Sequence, residues 1–112
     1  MNEITYQRAA DLYQLLSHPA RLQILDELRR EEACVCHLQA VLGRPQAYVS
    51  QQLRVLREAG GVADRKDGLL VYYRLNDAKL ARLLEVVLGP AGERTRVAEC
   101  PCPKCSSGAC DA

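Results

Sequence analysis

Residues 34–75 read CVCHLQAVLGRPQAYVSQQLRVLREAGGVADRKDGLLVYYRL, and this stretch decides the fold. Leu38, Val41 and Leu42 recur at helical spacing, which predicts a short helix over about 36–42. Gly43 ends it, as a residue tolerant of positive φ. Pro45 starts a longer helix to about Ala59, in which Val49, Leu53 and Leu56 form a buried stripe. Gly60-Gly61 stop that helix, and the period then changes. Val62–Lys66 and Leu69–Leu75 read as two strands joined by Asp67-Gly68, a strong hairpin signal. Two helices across a tight turn followed by a hairpin describe a helix-turn-helix with a wing, whose second helix enters the major groove.

Working outward, Ile4, Ala9, Leu12, Leu15 and Leu16 predict a helix over 4–16. Pro19 suits the first position of a second helix to about Arg30, because proline has no N–H to leave unpaired there. Asn76-Asp77 caps a last helix from Ala78 to about Leu88, closed by Gly89-Pro90. The expected fold is therefore mainly α with one small β-hairpin: a winged helix-turn-helix over residues 1–89. Residues 90–112 hold three prolines, four cysteines and few apolar side chains, so they are expected to be a flexible tail without a core of its own.

Charge does not announce the partner. Lys and Arg total 15 against 14 for Asp and Glu, so only local placement can argue for DNA. On the face of the second helix opposite its buried stripe, or at its border, lie Gln46, Tyr48, Ser50, Gln51 and Arg54, and the hairpin adds Arg65 and Lys66. Gln and Arg can make paired hydrogen bonds to base edges, and the others can reach phosphates or bases. These seven are the candidate DNA contacts, and double-stranded operator DNA is the expected partner.

The chain shows no basic-then-apolar leader at its start and no run near the ~20 apolar residues of a membrane helix. The expectation is a cytoplasmic protein, where thiols stay reduced and six cysteines point to metal or redox chemistry. Cys34 and Cys36 stand at a helix start, whose partial positive charge favours thiolate, the form that binds soft metals.

Leu16-Ser17-His18-Pro19-Ala20-Arg21-Leu22, Cys34-Val35-Cys36, Val49-Ser50-Gln51-Gln52-Leu53 and Tyr72-Tyr73-Arg74-Leu75 together resemble the ArsR/SmtB family of metal-sensing repressors. The resemblance spans about residues 5–88. It implies a homodimer held by the first and last helices, repression of a metal-resistance operon and no enzymatic activity. It also implies that Cys34 and Cys36 belong to a site for arsenite or antimonite, or else Cd(II) or Pb(II). Two sulfurs are too few, so the remaining ligands are expected from Cys100, Cys102 or Cys105, with Cys110 also at hand. Twelve residue steps from Leu88 to Cys100 let an extended tail reach ~40 Å.

The chain departs from the family at three positions. Gly61 replaces a bulky apolar residue and is expected to leave the strand start under-packed. Gln52 stands where many relatives have His, and His37 where they have an acid. A histidine at a helix start reads as a cap or a solvated side chain before a ligand, and His18 likewise reads as a cap. The interhelical zinc pattern of the family is absent: Asp77 is followed two positions on by Lys79, and the last helix has no His. Four alternatives stay open: a Zn(II) site within the tail cysteines, a dithiol or persulfide switch, Cys34 as merely a buried core thiol, and a metal-sequestering protein. A dithiol oxidoreductase at Cys102-x-x-Cys105 would need a βαβ scaffold, which the sequence lacks.

Overall fold

The computed structural model describes residues 3–93. In order these are α1 (Glu3–Leu16), α2 (Pro19–Leu28), β1 (Ala33–Cys34), α3 (Val35–Leu42), α4 (Gln46–Glu58), β2 (Val62–Asp67), β3 (Leu70–Leu75) and α5 (Ala78–Leu88). The helices follow the apolar spacing. Pro19 is the first residue of α2, and Asp77 caps α5 by accepting a hydrogen bond from the Lys79 N–H at 2.8 Å. His18 holds the N-cap position of α2, but its side chain makes no cap hydrogen bond; its carbonyl accepts from the Leu22 N–H instead.

One core joins these elements. Ile24, Leu25 and Leu28 of α2 meet Leu38 of α3, Val49, Leu53 and Leu56 of α4, Val62 of β2 and Leu84 of α5. Each fully buried leucine contributes about 2–3 kcal/mol by leaving water. Gly61 lies in this packing, and the expected under-packing does not occur. A Cβ at Gly61 would stand 3.0 Å from Leu80 Cδ1 and 3.9 Å from Leu15 Cδ2. Leucines from α5 and α1 have moved into the space a side chain would fill.

The sheet has three strands, not two, in the order β1-β3-β2, and every pairing is antiparallel. β1 pairs Ala33 with Tyr73 and Cys34 with Tyr72. Two residues carry no period, so this strand is set by its long-range partner alone. The hairpin loop also differs from expectation by one residue. Asp67 pairs with Leu70, so the loop is Gly68-Leu69 rather than Asp67-Gly68. Gly68 has φ 66° and, among the described residues, no non-glycine residue has positive φ, the sign pattern of a type II′ turn with glycine first. Leu69 is thereby left fully exposed at the tip of the wing.

The described part of α1 contains no buried residue, and Ile4, Tyr6 and Tyr13 are exposed on it. On α5, Leu80 and Leu84 face the core while Val86, Val87 and Leu88 face outward. Among the described residues no helix is long and apolar enough to cross a membrane.

Candidate nucleic-acid interface and thiol site

α3 ends at Gly43 in the left-handed conformation, and Pro45 precedes α4 as its N-cap. The stripe Val49, Leu53, Leu56 is buried, so the opposite face of α4 is displayed. Gln46, Gln51 and Arg54 are exposed, while Tyr48 and Ser50 are half-buried. Tyr48 packs against the core and lies under the guanidinium of Arg44, 5.1 Å from the ring centroid. Arg44 extends this surface. Its signal was an arginine four residues before a tyrosine across the helix-turn-helix turn. Gln52 points the other way: it is buried, and its Oε1 accepts from Arg21 Nε at 3.0 Å. It braces α4 against α2.

The wing places Arg65 and Lys66 on exposed β2. Arg65 is already engaged. It pairs with both carboxylate oxygens of Glu32, at 2.5 and 3.0 Å, and stacks on the Tyr72 ring at 4.8 Å. The hydrogen bond to Glu32 holds its pKa above the ordinary arginine value. Arg54 reaches Glu58 at 3.4 Å, and Arg57 reaches Asp64 at 3.0 Å. The local basic excess is therefore partly neutralised within the fold. Tyr73, beside this group, has its pKa raised, first by burial and then by the Asp64 charge.

The cysteine pair lies behind this surface. Cys34 is buried at the end of β1 and forms the N-cap of α3; Cys36 sits half-buried in the first turn. Their Sγ atoms are 2.6 Å apart. Both line a cleft of about 250 Å³ with Val35, Leu70, Val71 and the tip residue Leu69. Gln46, the first residue of α4, and Gln39 complete it. The sulfur pair thus shares a cleft with the wing on one side and the start of α4 on the other. Among the described residues no three His, Cys, Asp or Glu side chains are grouped to hold a metal ion. Cys100, Cys102, Cys105 and Cys110 lie outside the described residues.

His37 is neither a cap nor solvated. It is fully buried, with Nε2 2.8 Å from Glu27 Oε1. Glu27 also accepts from Arg30 Nη1 at 3.0 Å. Arg30 and Arg29 both reach Asp26, and Arg29 donates to the Gly89 carbonyl at 2.7 Å. A polar chain thus runs from the first turn of α3 to the end of α5. Nothing in the local sequence announced it, because its members come from three helices and their ends.

Residues 18–63 match the family described as "Bacterial regulatory protein, arsR family". The chain is 45% identical over 78 residues to the Biofilm growth-associated repressor of Agrobacterium fabrum, covering 70% of this chain and 67% of that protein. It is 39% identical over 85 residues to the HTH-type transcriptional repressor SmtB of Mycobacterium tuberculosis, covering 76% and 63%. The chain thus spans roughly two thirds of the length of these curated relatives. Among solved structures it resembles the homodimeric winged helix-turn-helix DNA-binding domain Mb0332 of Mycobacterium bovis. The TM-score is 0.70 at 28% identity, over 79% of this chain and 84% of that one. The displayed face of α4, the wing and these relatives agree: the chain belongs to the ArsR/SmtB family of DNA-binding transcriptional repressors, which are regulators and not enzymes.

Proposed function

We propose that this chain is a cytoplasmic, homodimeric repressor that leaves its operator when Cys34 and Cys36, as thiolates, capture a thiophilic metal or metalloid. Arsenite or antimonite comes first, Cd(II) or Pb(II) second. The carrying observation is the pair of sulfurs 2.6 Å apart in a cleft walled by both the wing and the start of α4. The pair fits an ion that binds soft sulfur donors, and the remaining sulfur would come from Cys100, Cys102 or Cys105. A bound ion would supply cross-linking: it ties donors together that otherwise move independently.

The chain's own residues do the rest. Successive major grooves lie ~34 Å apart, so a dimer must present two α4 helices at that separation. A change at Cys34 and Cys36 presses on Gln46 and on Leu69–Val71, and so alters how helix and wing are presented together. Couplings of this kind are usually worth ~1–3 kcal/mol and are reciprocal, so DNA must weaken capture as much as capture weakens DNA. The exposed apolar residues of α1 and α5 support the dimer, since a second copy would remove them from water.

A second reading has its own observation: the Sγ atoms of Cys34 and Cys36 are in direct contact, so the two sulfurs are placed for thiol redox chemistry. Oxidation or persulfide formation at this pair would then lift repression without any metal. One gel-shift series separates the two. Reduced protein on its operator DNA is expected to release it with arsenite, Cd²⁺ or Pb²⁺, and Cys34→Ser or Cys36→Ser to stay bound. Release only by an oxidant or polysulfide would favour the second reading. Operator binding unchanged by every thiol reagent would overturn both.

A further inference from the structure

We infer that Arg21, held in place by Gln52, grips a backbone phosphate beside the groove that α4 reads. This rests on DNA binding by the family and is independent of the thiol-capture reading.

Several arginines near the reading helix are neutralised by acids. Arg54 meets Glu58, Arg57 meets Asp64 and Arg65 meets Glu32. At the far end of α2, Arg29 and Arg30 are tied to Asp26 and Glu27. Arg21 differs. Among the described residues no carboxylate pairs with it, and its Nε donates to the Gln52 Oε1 at 3.0 Å. A neutral acceptor fixes the side chain without cancelling its charge. Gln52 is itself buried, so the guanidinium is steered by a group that packing already holds still.

The placement suits a phosphate. Gln52 follows Tyr48 by four residues, so the two share one edge of α4, and the neighbouring Gln51 is exposed on the displayed face. Arg21 therefore enters from α2 beside the reading face, where the flanking phosphates of a groove lie. With Nε engaged, the donors on both Nη atoms remain, and their fork matches two phosphate oxygens. The same end of α2 has no acid in its first turn and no side-chain cap. His18 Nδ1 is buried there without a hydrogen-bond partner among the described residues. An anion at this end meets no opposing charge from the first turn, and the helix dipole favours it. Because Arg21 is bonded to α4 itself, a phosphate held by it would fix how far that helix slides along the groove.

The test titrates the full-length, reduced chain against random-sequence duplex DNA and against the duplex upstream of its own gene, over a range of salt. Arg21→Gln is expected to weaken both about tenfold and to lower the slope of log affinity against log salt by about one. Arg21→Lys keeps the charge, so it should keep the slope and lose about threefold through the missing fork. Gln52→Glu gives Arg21 an acid partner with both side chains still packed, and carries the test should Arg21→Gln unfold. It is expected to lower the slope by about one while the thermal midpoint holds or rises, whereas a purely structural Arg21 would leave DNA binding unmoved. An unchanged slope in a folded Arg21→Gln or Gln52→Glu variant, or a loss confined to one of the two duplexes, would overturn the inference. If the unaltered chain binds neither duplex, the DNA-binding reading beneath it fails, and the inference with it.

Discussion

His37 on α3 and Glu27 on α2 form a buried hydrogen-bonded pair, Nε2 to Oε1 at 2.8 Å, ten residues apart in the chain. The pair locks the helix that carries Cys36 to the helix behind it. Position 37, a departure from the family pattern in the sequence, is buried in this chain.

His37→Ala should therefore destabilise the fold by about 3 kcal/mol. It opens a cavity at a fully buried site and removes one partner of a buried carboxylate. Urea denaturation measures this; a loss below 1 kcal/mol would show that Arg30 alone satisfies Glu27.

Gly61→Val should cost about 1–3 kcal/mol through overpacking, since its Cβ would meet Leu80 Cδ1 at 3.0 Å. Gly61→Ala should cost less. A thermal midpoint unchanged in the valine variant would mean that α5 shifts freely.

Glu32→Gln should tighten operator binding severalfold, because it weakens the bidentate pair that holds Arg65 back on the protein. Arg65→Ala should lower the slope of log affinity against log salt by about one unit, the signature of one lost phosphate contact. If Glu32→Gln binds no better, Arg65 serves the wing rather than the DNA.

Gln51→Ala should cost about 1–3 kcal/mol on the operator and almost nothing on unrelated DNA, as expected for a side chain that reads a base edge. Equal losses on both sequences would reassign Gln51 to the backbone.

Alkaline pH should weaken the fold through Tyr73. Its folded pKa is raised, chiefly by burial, above the ordinary value of 10.0. Below pH ~10 both states hold the proton and nothing is lost. Above it the unfolded chain ionises first, so stability falls as pH rises toward the folded pKa. Tyr73→Phe should flatten that fall in urea titrations between pH 9 and 11; an unchanged slope would point to another group.

The local sequence determined the five helices of the described residues, the hairpin and the displayed face of α4. Each rests on a repeat or a cap within a few residues: the stripe Val49, Leu53, Leu56, the Asp77 cap, the strands either side of Gly68. It also placed Cys34 and Cys36 at the start of α3, because two thiols at one helix terminus are visible as a spacing. Only the tertiary structure decided how those thiols relate to the wing, since the cleft is closed by Leu69, Leu70 and Val71 from more than thirty positions on. The same holds for β1, for Gly61 filled by Leu80 and Leu15, for Arg65 held by Glu32 and for His37 buried on Glu27. These are pairings between distant segments. A side chain's burial and partner are set by what packs against it, and no periodicity within one segment carries that information.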